Sequence, residues 1–369
     1  MYLLCYIYIL FGVICIFIYD KDFFYRLLRI DPNDLEVVLI DKSEFYKLHT
    51  IPKKGNDRVI HAITKDCSLY KLQKNLLNNF LSNIPVSDSA FGFIKGLSYK
   101  DYLEPHVFAK NLKKDGDSKN KYFLRIDLKD FFTCFNKELM EKVIGDYIKI
   151  NNEKERKQVI DFITEIVTLN DKLPQGAVTS PAISNICFRR FDQRIEKYCS
   201  RLDVVYTRYA DDLLFSSYND KLHKPFFRHM VKKILKGSFT INGSKTKQTT
   251  GEISINGFIV GDNIRLSRKR LSDLNSIFFL YSKDGNKPKS SKELVERVNE
   301  GNYIYRTKEI DCNNKARFFT NKNSVLNYLS GYRSFLINWI PENQYDKSYK
   351  RIKFIIEQIE QLIGEIIIL

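Results

Sequence analysis

Two adjacent carboxylates within one apolar stretch constrain the fold more than any other feature of the sequence. Residues 204–216 read VVYTRYADDLLFS, so Asp211 and Asp212 interrupt a run of β-branched, aromatic and aliphatic side chains. Because aspartate tolerates turn geometry, this pattern predicts a strand, a tight turn and a second strand, with both acids at the tip. Adjacent carboxylates repel each other, and a divalent cation that prefers oxygen ligands would offset the repulsion. Taken alone, an ordinary Asp-Asp turn on a soluble surface is the alternative.

A second apolar run, YFLRIDLKDFF over residues 122–132, also contains an acid. Asp127 lies between two aliphatic residues, where an unpaired charge would be expensive to bury. A metal ion shared with Asp211 and Asp212 would remove that cost. Three carboxylates on two neighbouring strands can hold two Mg²⁺ ions, with Mn²⁺ as a substitute, for phosphoryl transfer. The next acid, Asp130, falls off the Asp127 face by strand alternation, which predicts a structural role.

Residues 173–188, LPQGAVTSPAISNICF, separate the two acidic runs. Pro174, Gly176 and Pro181 punctuate this segment, and the pair Ser180-Pro181 predicts the start of a helix. A glycine before a helix start lets the backbone approach a phosphate or a base closely.

The order of IDLKDFF, PQGAVTSP and YADD resembles that of reverse transcriptases, and more narrowly of bacterial retron-type and related defence-associated reverse transcriptases. The resemblance implies an α+β right-hand polymerase, with fingers and palm built from an antiparallel sheet packed on helices and with an α-helical thumb. It implies fingers and palm over residues 23–264 and a thumb that binds RNA or DNA over 265–369, after an apolar N-terminal segment over residues 1–22 that the resemblance does not cover. The catalytic, metal-holding residues would be Asp127, Asp211 and Asp212.

The resemblance also implies a nucleotide-binding set, which consists of Arg58, Phe132, Gln175, Gly176 and Lys245. Arg58 would approach the triphosphate, a role that suits a guanidinium. Phe132 would lie against the 2′ carbon of the sugar and favour dNTPs. Gln175 and Gly176 would lie along the template and nucleotide, and Lys245 would assist the departing pyrophosphate. For Arg58 and Lys245, a solvent-facing side chain is the alternative.

Periodicity and turn residues predict the remaining elements. A hairpin is expected over residues 51–64. Helices are expected over residues 68–82, 138–169, 180–198, 221–236, 271–281, 290–305, 324–340 and 345–369.

The chain is strongly basic, with 60 Lys and Arg against 44 Asp and Glu over 369 residues and a net charge of +16. This excess implies a polyanionic partner, nucleic acid first, although a lysine-rich soluble surface is the alternative. A basic cluster at a predicted helix start is expected to face a phosphate backbone unless it is simply solvated; it comprises Arg265, Arg268, Lys269 and Arg270. The seven cysteines include no CxxC pair, which argues against a zinc site and for a reducing cytosol.

Retron resemblance further implies partners. A structured noncoding RNA would be the template and primer, dNTPs would be the substrates, and branched RNA–DNA would be the product. An effector protein from the same locus would act with the enzyme in antiphage defence.

Tyr102-Leu103 replaces the retron NA pair before His106, which is expected to be a core or loop histidine. Ile255-Asn256-Gly257 keeps only the glycine of the retron VTG. These departures keep open a non-retron defence reverse transcriptase with different priming. A catalytically idle RNA-binding scaffold is a further alternative, although it would be free to lose the three aspartates.

Residues 2–19, YLLCYIYILFGVICIFIY, are uncharged and at the short end of the length for a membrane span. They lack a basic n-region and a cleavage site, so a signal peptide is not expected. Lys21, Arg26 and Arg29 follow, and the positive-inside rule would keep the remainder cytoplasmic. Membrane association through this segment is therefore a minor alternative to a cytoplasmic bacterial protein. In a cytoplasmic protein, residues 2–19 would pack as a helix on the polymerase or on a partner. Alternatively, translation would start further downstream.

Overall fold

The computed structural model describes residues 8–10, 13–51, 58–107, 121–304, 306, 308–340 and 347–369. The chain divides into two compact units, with the boundary between Gly251 and Glu252. The strands are β1 (Tyr8–Leu10), β2 (Val13–Cys15), β3 (Tyr46–Ile51), β4 (Arg58–Ile63), β5 (Tyr122–Asp127), β6 (Val205–Tyr209), β7 (Asp212–Ser217), β8 (Lys247–Thr250), β9 (Ile253–Ile255), β10 (Phe258–Val260), β11 (Ile264–Leu266), β12 (Glu309–Ile310) and β13 (Ala316–Arg317). The α-helices are α1 (Lys21–Leu28), α2 (Pro32–Ile40), α3 (Ser68–Asn79), α4 (Tyr99–Leu103), α5 (Lys137–Ile144), α6 (Glu153–Val167), α7 (Ser180–Ser200), α8 (Pro225–Leu235), α9 (Arg268–Tyr281), α10 (Ser291–Asn299), α11 (Lys322–Ile337) and α12 (Lys347–Ile368).

A four-stranded antiparallel sheet, in the order β6-β7-β5-β8, organises the first unit. All six residues of β7 are buried, which explains why three consecutive apolar residues, Leu213 to Phe215, follow the acid instead of an alternating pattern. One hydrophobic core joins this sheet to α3, α5, α6, α7 and α8. The predicted antiparallel sheet packed on helices is confirmed.

The helix predicted over residues 138–169 is two helices in the structure. α5 ends at Ile144, and α6 begins after Asn152, whose side-chain oxygen accepts hydrogen bonds from the backbone N–H groups of Lys154 and Glu155. An asparagine that caps a new helix start is favoured over one inside a helix. The periodicity of the apolar positions alone did not reveal this break.

The predicted hairpin is present as β3 and β4, which pair antiparallel from Tyr46 opposite Ile63 to Ile51 opposite Arg58, so its first strand lies before the predicted start at residue 51. Its predicted turn falls outside the described residues. The backbone of Arg58 begins β4, but its side chain also lies outside the described part, so the predicted contact of this guanidinium with a triphosphate stays a prediction.

The described part of the apolar N-terminal segment is extended, which corrects the expectation of a helix. β1 and β2 pair antiparallel, and residues 1–7 and 11–12 lie outside the described part. Ile18 is fully buried: its N–H donates to the Tyr147 carbonyl at 3.1 Å, and its carbonyl accepts from the Lys149 N–H at 2.7 Å. Over the described ranges, no helix combines the length and the apolar character needed to cross a membrane.

The second unit combines a three-stranded sheet, in the order β11-β10-β9, with α9 to α12. Its helices confirm those predicted beyond residue 270, although α10 ends at Asn299, short of the predicted residue 305. The core of this unit includes the aliphatic residues Leu274, Ile277 and Leu294 and the aromatic residues Phe258 and Phe319.

Candidate active site

The two neighbouring acids occupy different positions in the β6–β7 hairpin. Tyr209 pairs with Asp212, so Ala210 and Asp211 form a two-residue turn. Ala210 has a φ of 54°, the left-handed conformation that tight hairpin turns require. Asp211 is therefore at the tip as predicted, whereas Asp212 is the first residue of β7. The prediction that both acids lie at the tip is therefore wrong for Asp212, because the turn contains only Ala210 and Asp211.

Asp127 ends β5 directly opposite Asp212, on the neighbouring strand as predicted. It is buried, and both of its oxygens accept hydrogen bonds from Lys245 Nζ, at 3.0 and 3.1 Å. Asn242 Nδ2 donates to the same carboxylate at 3.0 Å. The structure thus places Lys245 on the predicted catalytic acid itself, where it offsets the cost of burying that charge.

Asp212 and Asp211 differ in their electrostatic surroundings. Arg125 holds Asp212 through two hydrogen bonds, from Nε to Oδ1 at 2.8 Å and from Nη2 to Oδ2 at 2.6 Å. Burial, followed by the negative charges of Asp212 and Asp127, raises the pKa of Asp211 above its usual value. Asp211 therefore lies in a region of excess negative charge, which a bound cation would relieve.

A cavity of about 1190 Å³ opens in front of these acids. Its lining includes five of the predicted site residues, namely Asp127, Phe132, Gln175, Asp211 and Lys245. Asp212 does not line it, because its carboxylate is held by Arg125. The structure therefore brings two of the three predicted catalytic carboxylates to one cavity, with the predicted sugar, template and leaving-group residues around them.

Aromatic neighbours position Phe132. It follows β5 in a short helical turn, Phe131–Cys134, and is half-buried. Its ring centroid is 5.9 Å from that of Phe93 and 5.5 Å from that of Phe131. These contacts hold the ring at the cavity wall.

Gly176 lies against β4. Its φ is +114°, and a Cβ atom there would be 2.7 Å from the His61 carbonyl oxygen and 3.0 Å from Ala62 Cα. The Ile63 N–H donates to the Gly176 carbonyl at 3.5 Å. Only glycine lets the loop cross β4 this closely, and the crossing carries Gln175 to the cavity.

Sequence reasoning missed two side chains that contact the predicted aspartates and misplaced a third acid. Asp130 lines the cavity, because β5 ends at Asp127 and Asp130 adopts a φ of 46° in the following turn, where strand alternation no longer applies. Arg125 lies two residues before Asp127 on β5. Residues at this spacing on a strand lie on the same face, so the sequence could have indicated that Arg125 is near the acids. Asn242 precedes Lys245 by three residues, but no sequence signal connects it to Asp127.

The predicted basic cluster of the second unit divides into two kinds of side chain. Arg265 makes two hydrogen bonds to Glu252, at 2.5 and 2.6 Å, and Arg270 lies over the Phe335 ring at 4.8 Å. Arg268 and Lys269 are exposed. Contact of the cluster with a phosphate backbone stays a prediction, and these two exposed side chains are its best candidates.

The donor set suits a hard cation that is shared with a substrate. Among the residues that the structure describes, no three acidic, histidine or cysteine side chains are grouped so as to enclose a metal ion. Asp127 and Asp211 nevertheless line one cavity, and Mg²⁺ commonly binds through one or two carboxylates together with substrate phosphates. The residues present therefore fit a metal site that substrate completes.

Comparison with known proteins supports this interpretation. Residues 51–269 match the family model described as reverse transcriptase (RNA-dependent DNA polymerase). The chain is 30% identical over 286 residues to the retron Ec73 reverse transcriptase of Escherichia coli, covering 73% of this chain and 83% of that protein. It is 25% identical over 252 residues to the retron Ec86 reverse transcriptase of Escherichia coli, covering 67% and 73%. Apo telomerase from Candida tropicalis aligns with a TM-score of 0.47 at 15% identity, covering 87% of this chain and 56% of that one.

The family match covers more than half of the chain and includes both acidic runs, the loop before α7 and Lys245. Reverse transcriptases generally use divalent metal ions, which agrees with the two carboxylates at the cavity. This chain belongs to the reverse transcriptases and is an RNA-directed DNA polymerase of retron type.

Proposed function

We propose that this enzyme incorporates dNTPs opposite an RNA template at the cavity lined by Asp127 and Asp211. The observation that carries the proposal is the meeting of these two carboxylates, from the end of β5 and from the tip of the β6–β7 hairpin. When bound, a pair of Mg²⁺ ions would activate the primer hydroxyl and stabilise the leaving oxygen. Asp212 supports the arrangement from its position opposite Asp127, where Arg125 holds it.

The other cavity residues have separate proposed tasks. Lys245 places an ammonium group at Asp127, so a proton donor stands near the departing pyrophosphate. Phe132, held by Phe93, presents a ring that excludes a 2′-hydroxyl. Gln175, positioned by the crossing of Gly176 over β4, lies along the template and nucleotide.

Retron resemblance supports the finer proposal. The template and primer would be a cognate structured RNA, and the product would be single-stranded DNA joined to that RNA through a branch. The enzyme would act with an effector from the same locus in antiphage defence. Sequencing the nucleic acid that copurifies from the native locus, before and after RNase treatment, tests this. A discrete branched RNA–DNA supports the proposal, whereas protein-linked or homopolymeric DNA contradicts it.

The catalytic assignment is tested with Asp127→Asn and Asp211→Asn. Each should reduce dNTP incorporation on poly(rA)/oligo(dT) about a thousand-fold, which corresponds to about 4 kcal/mol of activation free energy. RNA binding should change little, because each variant removes a negative charge. Asp130→Asn is the matched control, since Asp130 lines the same cavity and asparagine tolerates its left-handed backbone. Full activity of Asp211→Asn would refute the assignment.

The sugar-selecting role is tested with Phe132→Ala, which should raise the ratio of rNTP to dNTP incorporation. Thr133→Ala is the control, because Thr133 is adjacent and also lines the cavity. An unchanged ratio in Phe132→Ala would contradict the role.

A further inference from the structure

α8 and the loop after it carry an unusual excess of positive charge. From Lys221 to Gly251 the sequence contains seven lysines and one arginine but no aspartate or glutamate, in a chain that otherwise has 44 acidic residues. A helix that is merely solvated usually carries both signs of charge. This stretch contributes Lys245 to the catalytic cavity, but the proposed reaction uses none of the charges on α8.

The excess charge is concentrated in a groove of about 990 Å³. Its basic lining consists of Arg228, His229, Lys232, Lys233 and Lys236, and no carboxylate lines it. All five side chains are exposed. The opposite face of α8 is buried through Phe227, Val231, Ile234 and Leu235, so the helix is fixed with its basic face outward.

Ion pairing does not explain these charges. Over the described residues, none of the five basic side chains of the groove forms an ion pair. Arg228, Lys232 and Lys236 follow one another at intervals of four, and like charges at this spacing on a helix repel. A polyanionic partner would turn this unfavourable arrangement into a favourable one.

The groove shares one wall with the catalytic cavity. In the loop before β8, Thr240 and Thr246 line the groove, whereas Asn242 and Lys245 line the cavity. The loop is tied to β5 and the turn after it by hydrogen bonds from the Asn242 N–H to the Asp127 carbonyl at 2.8 Å and from the Lys129 N–H to the Thr240 carbonyl at 2.9 Å. A nucleic acid engaged in the cavity therefore has a second basic surface within reach, on the other side of one short loop.

We propose that this α8 groove is a second RNA-binding site, which holds the phosphate backbone of the RNA outside the segment being copied. The proposal rests on the proposed function for the identity of the polyanion. A concave surface lined by four cations and His229 suits a phosphate backbone that runs through it, whereas a flat membrane surface would not follow the concavity. The groove would anchor the RNA without taking part in chemistry.

The test compares two triple variants of the full chain. Lys232→Gln/Lys233→Gln/Lys236→Gln removes three charges from the groove. The control, Lys142→Gln/Lys154→Gln/Lys157→Gln, removes three exposed charges from α5 and α6, where glutamates are interspersed. Binding of a fluorescent RNA hairpin is followed by anisotropy over a salt series, and dNTP incorporation is measured at saturating poly(rA)/oligo(dT).

The groove variant should bind the hairpin about tenfold more weakly near physiological salt, and the slope of log K against log salt should decrease by about 2 to 3. The control should bind within about twofold of the unaltered protein, and both variants should keep the maximal incorporation rate.

Equal affinity and slope for the two variants would overturn the proposal. So would loss of binding to phosphatidylserine vesicles with unchanged RNA binding, which would indicate a membrane contact. If the unaltered chain binds RNA but incorporates no dNTP, the proposed function is wrong. The comparison of RNA affinity between the two variants still shows whether the groove binds RNA.

Discussion

At the scale of single residues, a buried ion pair sets the position of the catalytic turn. Arg208 and Asp192 are both fully buried, and Arg208 donates to the two oxygens of Asp192 at 2.9 and 2.8 Å. The same guanidinium donates to Asn185 Oδ1 at 3.0 Å and to the Ala210 carbonyl at 3.2 Å. Arg208 thereby connects α7 to the residue that precedes Asp211, so a side chain outside the cavity orients the hairpin tip.

We predict that Arg208→Gln lowers the free energy of unfolding by about 3 to 5 kcal/mol, because it leaves the buried carboxyl group of Asp192 without its cationic partner. Incorporation of dNTPs should also fall at temperatures where the variant is still folded. Arg190→Gln, on the helix that carries Asp192, is the control: it breaks an exposed ion pair with Asp146, and its effect should stay within about 1 kcal/mol. Urea unfolding and primer extension measure both effects. A change below about 1 kcal/mol for Arg208→Gln would contradict the prediction.

His106 makes stability depend on pH. It is fully buried, as expected for a core histidine, and its ring nitrogens lie 2.6 Å from Ser216 Oγ and 2.8 Å from Thr207 Oγ1. Burial, with a smaller effect from Lys121, lowers the pKa of His106 well below 6.5. The unfolded chain therefore takes up a proton near pH 6.5 that the folded chain excludes. The contribution of neutral His106 is complete above this pH and is lost as pH falls toward the folded-state pKa.

We expect the free energy of unfolding to decrease below about pH 6.5, with a contribution from this residue of up to about 1.4 kcal/mol per pH unit. His106→Gln should make the decrease shallower by that amount, whereas His229→Gln, at an exposed histidine, should leave it unchanged. Urea unfolding on both sides of this pH measures the difference. The same slope in His106→Gln as in the unaltered protein would count against the assignment.

At the scale of elements, one glycine determines how the loop before α7 meets the β3–β4 hairpin. Gly176 crosses β4 with its backbone, and its φ of +114° is strained for any other residue. The next element, α7, starts at Ser180, whose hydroxyl donates to the Pro174 carbonyl at 2.8 Å and closes the loop. The position of Gln175 at the cavity therefore depends on a backbone contact between elements far apart in sequence.

Gly176→Ala should destabilise the protein by about 1 to 3 kcal/mol and raise the KM for dNTPs, because the added methyl group must displace β4 or the loop. Gly331→Ala is the matched control: a Cβ atom there meets nothing within 4 Å, and alanine inside α11 should be neutral or stabilising. Unfolding and steady-state primer extension measure the two effects. A KM for Gly176→Ala equal to that of the unaltered enzyme would show that the crossing does not position the nucleotide.

At the scale of the whole molecule, net charge governs association with nucleic acid. The chain carries +16, and the α8 groove and the exposed Arg268 and Lys269 are parts of this excess. Contacts with phosphates release counterions, so each contact contributes to the dependence of binding on salt.

Affinity for RNA should therefore fall about a thousand-fold or more between 50 and 200 mM salt, as expected for six or more phosphate contacts. Anisotropy with one RNA over a salt series measures this, with sucrose at matched osmolality as the uncharged control. A loss smaller than about tenfold would indicate that few phosphates are contacted.

Much of the fold and part of the site followed from the sequence alone. The β6–β7 hairpin, the embedding of Asp127 in a strand and the order of the motifs were predictable, because side-chain alternation and turn chemistry act over a few neighbouring residues. The reverse transcriptase family followed from those motifs, and the family match confirms it. The core role of His106 was likewise expected, and its burial confirms it.

Tertiary structure decided which groups meet. Asp211 lines the cavity, whereas Asp212 does not and is held by Arg125. Lys245 reaches Asp127 although 118 residues separate them, and Asp130 joins the cavity because β5 ends before it. The basic residues of α8 form one groove because their helix buries its opposite face. Local sequence determines where a strand, turn or helix forms, but the direction and the partner of a charged side chain depend on elements distant in the chain.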